Sequence, residues 1–241
     1  MSMKGLNLIL PEKADPERDK VADAWRAAGG TVTRLGRFWD PPEIDPGTAR
    51  IYANDTFALV LAQKLNLDLI SPRDDLLLAL APEWVGRKIM SMTLDETDDL
   101  AYPIFAKPAV PKLFKAAVYA DHAALQAESR GLEADTVVLV SEIVAFECEA
   151  RCFVLDGAVC DVAAYEGKAD LADAWALALQ VAGSGLLPAA CVVDVGLIEG
   201  RGWVVIEANA AWGAGLNGCA AEKVMPCIAA ATRLSGPAAP A

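Results

Sequence analysis

The stretch that decides how this chain is read is Asp194-Val-Gly-Leu-Ile-Glu-Gly-Arg-Gly-Trp-Val-Val-Ile-Glu207-Ala-Asn209. Two apolar runs flank the glycine-rich Glu199-Gly200-Arg201-Gly202, which predicts an antiparallel hairpin. With a symmetric four-residue connection, Ile198 faces Trp203, Gly196 faces Val205 and Asp194 faces Glu207. Side chains alternate along a strand, so Val193, Val195 and Leu197 are expected to join Val204 and Ile206 on an apolar side. Asp194, Glu207 and Asn209 then share the other side. Directly opposed residues hold their Cβ atoms roughly 4.5–5.5 Å apart, and like charges at that spacing repel. Two ionised carboxylates so placed call for a proton or a cation between them. Two carboxylates and an amide form an all-oxygen set that suits Mg²⁺, particularly with phosphate oxygens completing the shell. The competing reading is a solvated polar face; Asn209 extending the same row, with a small-residue loop just after it, favours the cation.

Working outward, residues 149–155 and 158–165 flank Asp156-Gly157, a two-residue hairpin signal. Glu149, Arg151, Phe153 and Leu155 share one face, and Ala150, Cys152 and Val154 the other. Mid-strand Glu149 and Arg151 imply either a ligand or a mutual ion pair at a sheet surface. Lys107 lies inside a short strand, residues 104–108, between Ala106 and Pro108. A phosphate is a fitting partner for such a point charge, against a solvent-facing strand lysine. Residues 116–120 are expected to pair with that strand, and residues 136–143 form a strongly apolar one. The N-terminal part opens as strand 5–10, helix 15–28 and strand 31–35, a β–α–β unit. After a proline-rich loop come residues 50–52, a helix over 55–65 and a strand over 67–71. Residues 74–81 and 82–92 read as helical, as do 123–130, 170–181 and 220–233, and residues 235–241 read as a flexible tail.

The chain has 241 residues, 54% of them hydrophobic, with 21 Lys+Arg against 33 Asp+Glu and a net charge of −12. That apolar content excludes wholesale disorder. The acidic balance argues against nucleic acid, whose phosphate backbone requires a basic face, yet a pocket can still hold a few cations. The six cysteines form no CxxC pair, and His122 is the single histidine, so neither a zinc cluster nor a His-assisted nucleophile has support. Reduced, buried thiols in a cytoplasmic protein are expected. The run Leu6 to Leu10 is shorter than a signal-peptide core. The uncharged stretch between Asp173 and Asp194 is broken by Gly183-Ser184-Gly185 and Pro188, so no membrane span is expected. Gly213-Ala-Gly215-Leu-Asn-Gly218 matches GxGxxG but lacks the helix, second strand and acid of a dinucleotide fold.

The order Phe105-Ala-Lys107-Pro108, Ser141-Glu142-Ile143-Val144, Glu149, Asp194-Val-Gly196 and Glu207-Ala-Asn209 resembles an ATP-grasp domain. Together with Ile51-Tyr-Ala-Asn54-Asp55 and Glu207-Ala-Asn-Ala-Ala-Trp212-Gly-Ala-Gly215, it is similar to a compact clade of that superfamily. The resemblance implies an α/β and α+β fold: an N-terminal α/β module (residues 1–80), a central ATP-grasp subdomain (81–140), a C-terminal one (141–234) and the tail (235–241). It further implies that Lys107 contacts the α-phosphate and that Glu142, with the Ile143 and Val144 backbone, holds adenine. Glu149 would bind ribose, and Asp194, Glu207 and Asn209 would bind Mg²⁺. Arg87 or Lys88 would be an earlier phosphate-contacting cation. Arg151 and Lys168 would face the γ-phosphate or an acyl-phosphate. Pro111-Lys112-Leu-Phe-Lys115 replaces the usual glycine-rich lid, making Lys112 a candidate there. The implied activity is an ATP-dependent carboxylate–amine ligase acting through an acyl-phosphate on an amino acid, small acid or peptide. Phosphotransfer on the same scaffold and a non-catalytic nucleotide-binding module are the competing readings. Phosphoryl transfer rests on positioning and charge neutralisation, which suits a site of Lys, Arg, Asp, Glu and Asn without histidine.

Overall fold

A computed structural model describes residues 2–236. Its N-terminal part is built on strands β1 (Asn7–Pro11), β2 (Thr31–Leu35) and β3 (Ala49–Ile51), which form a parallel sheet in the order β2-β1-β3. Helix α1 (Pro16–Ala27) crosses between the first two strands. Asp15 caps it by accepting from the Glu17 and Arg18 amides, and Pro16 sits in the first turn where its missing N–H is no loss. Helix α2 (Asp55–Leu65) starts on the Asn54 cap. It leads into β4 (Leu67–Leu69).

The segment after Leu69 departs from the sequence expectation. Only Leu76–Ala79 (α3) and Pro82–Val85 (α4) are helical, and Ile89–Thr93 is a strand, β5. Gly86, at φ 60°, turns the chain out of α4 after one turn. The following Ile-Met-Ser-Met-Thr run then finds hydrogen-bonding partners in a sheet. That sheet contains β6 (Ile104–Pro108), β7 (Ala117–Tyr119) and β8 (Val137–Ser141), in the antiparallel order β5-β8-β6-β7, with helix α5 (His122–Glu128) alongside.

A second antiparallel sheet, ordered β10-β9-β11-β12, follows: β9 (Cys148–Leu155), β10 (Ala158–Gly167), β11 (Ala190–Ile198) and β12 (Gly202–Asn209). Helix α6 (Ala172–Ala182) packs Ala174, Leu177, Ala178 and Val181 against Cys152, Val154, Val193 and Val195. On the opposite face, Phe153 and Val192 join helix α7 (Ala221–Ala230) and the N-terminal module in one core that includes Trp25, Tyr52 and Phe57. The helix expected over residues 220–233 ends at Ala230. Thr232–Leu234 is instead a strand, β13, antiparallel to β4. Residues 237–241 of the expected tail lie outside the described residues. Among the described residues, no helix is long and apolar enough to cross a membrane.

The β11–β12 register corrects the expected hairpin. Ile198 pairs with Gly202, Leu197 with Trp203, Gly196 with Val204 and Val195 with Val205. The connection is therefore three residues rather than four. A bulge then places Ile206 without an opposing residue, and Asp194 pairs with Glu207 after all. Val193, Val195 and Leu197 consequently share their face with Ala208, Val205 and Trp203, not with Val204 and Ile206.

Candidate active site

A cavity of about 360 Å³ lies between the two antiparallel sheets. Alternation along β6 buries Ile104 and Ala106 behind the central sheet and turns Phe105 and Lys107 into the cavity. The β8–β9 connection supplies Glu142, Ile143, Val144 and Phe146, the second sheet supplies Glu149, Ile206 and Glu207, and Arg87 enters from the turn before β5. Lys107, Arg87, Glu142, Ile143, Val144, Glu149 and Glu207 are thus brought to one cavity from separate chain segments.

At the inner end of the cleft the polar side chains form one row. Lys107 Nζ donates to Glu207 Oε2 at 3.3 Å, joining the two sheets. Asn209 Nδ2 donates to Glu207 Oε1 at 3.0 Å and to Asp194 Oδ2 at 3.2 Å. Arg151, directly opposite Asp194 across β9–β11, donates Nε to Oδ1 at 2.8 Å and Nη2 to Oδ2 at 2.7 Å. Its Nη1 reaches the Gly215 carbonyl at 2.9 Å. Asp194 is only 2% exposed. Burial pushes its carboxyl above the ordinary aspartate range; the Arg151 hydrogen bonds pull the other way, and the Glu207 charge adds to the rise. The mid-strand Glu149 and Arg151 therefore do not pair with each other: Arg151 holds Asp194, and Glu149 accepts from Tyr165 Oη at 2.6 Å.

Asp194, Glu207 and Asn209 present an oxygen-rich set, and the fit to a hard divalent cation follows from that chemistry. Among the described residues no three His, Cys, Asp or Glu side chains converge as a metal cluster, because the third member here is an amide. Asn209 now places its NH₂ between two carboxylates. A cation there would do the same work, with the amide turned to offer its oxygen, since the two amide orientations differ only in the network they satisfy. Such a cation must compete with Arg151 for Asp194.

Several expected residues stand elsewhere. Arg87 lines the cavity, but its guanidinium donates to the carbonyls of Val85 (3.0 Å), Val205 (2.8 Å) and Ile206 (3.2 Å). Lys88 lies beside Glu142, yet the bonds between the two residues run through the Lys88 backbone. The Glu142 carboxylate is held by Arg201, at 2.6 and 3.2 Å, which pulls its pKa down; only the backbone beside it is left to face a base. Lys168 is exposed just past Gly167, which pairs with Cys148. It is three β9 residues, roughly 10 Å at ~3.3 Å per residue, from the Arg151–Asp194 row, so the structure does not bring it there. Lys112 pairs with Asp55 at the N-terminus of α2 rather than covering the cavity.

Three contributors escaped the sequence reading. Arg201 was visible only as a turn residue. Tyr165 reaches Glu149 because a β10 irregularity between Ala164 and Glu166 re-aims it, which no alternation pattern signals. Glu17 accepts from the Leu216 and Asn217 amides at 3.0 and 2.8 Å, fixing the loop whose Gly215 carbonyl anchors Arg151.

A second cavity, about 610 Å³, opens at the carboxyl ends of β1 and β2. Its walls are Glu12 and Lys13, the aromatic rings of Phe38 and Phe57, the first turn of α2 and Lys112. The loop after Asn209 abuts it: a Cβ on Gly213 would lie 3.5 Å from the Ala53 carbonyl and 3.8 Å from Asp55 Oδ1.

A family profile described as an ATP-grasp domain, the second family of its clade, matches residues 84–227. No curated protein matches the sequence. Among solved structures, D-cycloserine synthetase DcsG is similar at 15% identity and a TM-score of 0.61, over 93% of this chain and 98% of that one. An ATP-grasp RimK domain protein from Sphaerobacter thermophilus DSM 20745 is similar at 18% identity and a TM-score of 0.58, over 85% and 90%. D-alanine–D-alanine ligase from Bacillus anthracis is similar at 12% identity and a TM-score of 0.54, over 92% and 96%. At these identities the likeness is one of fold.

Proposed function

The chain belongs to the ATP-grasp domain family whose profile spans its residues 84–227, and from that premise we propose that it is an ATP- and Mg²⁺-dependent carboxylate–amine ligase acting on an amino acid, small acid or peptide. The observation that carries the proposal is the Lys107–Glu207 contact across the cleft, continuous through Asn209 with Asp194. It sets a cation and an oxygen-rich acid row at one end of a cavity that Ile143, Val144 and Phe146 line elsewhere with apolar surface. ATP lies with its base against Ile143 and Val144, its ribose at Glu149 and its phosphates at Lys107. Asp194, Glu207 and Asn209 hold Mg²⁺, which neutralises phosphate charge when bound. The donor carboxylate attacks the γ-phosphorus, ADP departs, and the amine then displaces phosphate from the acyl-phosphate. Arg151, next to the acid row, offers its guanidinium edge to the transferred phosphoryl group. The mixed charges and aromatic walls of the second cavity suit an acceptor with both an ionic head and an apolar body. The neighbours' printed names, among them an L-amino acid ligase from Bacillus licheniformis and PsnB bound to a precursor peptide, support substrates of this size range.

The test is ATP binding with and without Mg²⁺, followed by ADP release with pooled carboxylates and amines and mass spectrometry of the products. Mg²⁺-enhanced binding and a new amide are expected, with Glu207→Gln losing turnover while keeping the wild-type unfolding midpoint. A phosphorylated acceptor would reassign the chain to phosphotransfer, and binding without ADP release under any pool would reduce it to a nucleotide-binding module.

A further inference from the structure

Glu207 faces the cleft only because of the bulge at Ile206. From Gly202 to Val205 the register is regular; continued by one step it would set Ile206 opposite Asp194 and turn Glu207 to the α6 face. A one-residue slip exchanges the two faces of a strand, so a single inserted residue decides whether a carboxylate or an isoleucine completes the acid row. Bulges interrupt the ladder and leave backbone groups unpaired, and β12 is the outer strand of its sheet. Arg87 answers both defects. In a regular strand successive carbonyls point to opposite edges, yet here Arg87 Nη1 and Nη2 take the successive carbonyls of Val205 and Ile206 at 2.8 and 3.2 Å. That is possible only with the bulge in place.

The fork is itself held. Nη1 also donates to the Val85 carbonyl, the guanidinium lies 5.8 Å from the centre of the Phe146 ring, and Gly86 lets the turn approach β12 so closely that a Cβ there would sit 2.2 Å from Val204 Cγ1. We propose that Arg87 is a positioning residue that clamps the β12 bulge and thereby aims Glu207 at the cation, rather than a phosphate contact. Its significance for turnover rests on the metal role given to Glu207 above. Lysine cannot substitute, because a single ammonium on a flexible stem does not reproduce a rigid two-pronged fork.

Two variants test this: Arg87→Lys, which keeps a charge able to meet phosphate, and Arg87→Met, which keeps only length. In nucleotide-free protein, both should speed amide hydrogen exchange in the peptide spanning residues 204–209 while α6 exchanges as in wild type. In ATP titrations, Arg87→Lys should hold the metal-free affinity yet weaken the apparent Mg²⁺ affinity by about 10-fold, the usual loss when a ligand's support is removed. Unchanged exchange at residues 204–209 in both variants would overturn the clamp. So would Arg87→Lys matching wild type in Mg²⁺ dependence while Arg87→Met alone loses metal-free affinity, which marks a phosphate contact. Should wild type bind no nucleotide, the ligase proposal fails, while the exchange measurement still decides the clamp.

Discussion

Asp194 and Arg151 sit opposite each other on neighbouring strands, 3% and 11% exposed at their side chains. A buried pair of this kind is expensive to break by removing one partner, because the remaining charge is stranded away from water; the typical loss is about 3–5 kcal/mol. Arg151→Met should therefore destabilise the protein by about that amount at neutral pH in urea denaturation. The loss should also depend on pH with a definite sign. Burial already raises the Asp194 carboxyl above its ordinary value of 3.8, and without Arg151 it rises further. A group whose folded pKa is raised destabilises the fold above that pKa and ceases to do so once protonated. The deficit of Arg151→Met relative to wild type should therefore shrink as pH falls towards 3.8. A deficit that stays constant from neutral pH down to that value would show that Asp194 is not the stranded charge. At this scale the sequence was informative: alternation alone put Glu149, Arg151, Asp194, Glu207 and Asn209 on faces that the structure brings to one cleft. It could not say that Arg151 would spend itself on Asp194, since that depends on the lateral pairing of β9 with β11, two strands separated by a helix.

Elements carry a different lesson. The Asp194–Glu207 pairing followed from an assumed four-residue connection, whereas the chain uses a three-residue connection and then a bulge. The two one-residue departures cancel at the acid row and do not cancel between them, which is why Val204 and Ile206 were assigned to the wrong face. Turn length and bulge position are fixed by tertiary partners such as Arg87, invisible to periodicity. The same holds for residues 82–92, where one helical turn and a strand were merged into a helix. Gly86 makes the separation: its left-handed backbone ends α4, and its missing side chain admits Val204. Gly86→Ala meets both obstacles, and a non-glycine residue in that region costs on the order of 1–3 kcal/mol. Thermal unfolding should show a lowered midpoint. Adding Val204→Ala should recover only part of the loss, because it removes the clash and leaves the backbone penalty. A single variant as stable as wild type would mean the Gly86 turn can relax freely.

On the scale of the whole molecule, the N-terminal module is not an independent body. Its core, around Trp25, Tyr52 and Phe57, is completed by α7 and by Phe153 and Val192 of the second sheet. The chain also returns to it at the end: β13 pairs with β4, and the buried Thr232 hydroxyl accepts from the Ile51 amide at 3.1 Å. Sequence periodicity merged β13 into the preceding helix, because a three-residue strand has too few positions to show alternation. Sharing one core across three chain segments predicts a cooperative transition in which module and second sheet unfold together. Thr232→Val tests this with little change of shape. It leaves the Ile51 amide buried without an acceptor, which costs about 1–3 kcal/mol. If the core is shared, hydrogen-exchange protection under mild denaturant should fall in parallel for peptides from β1, α2 and β11. Loss confined to β1 and α2, with β11 as protected as in wild type, would show instead that the module opens by itself and that α7 is a tether rather than a common wall.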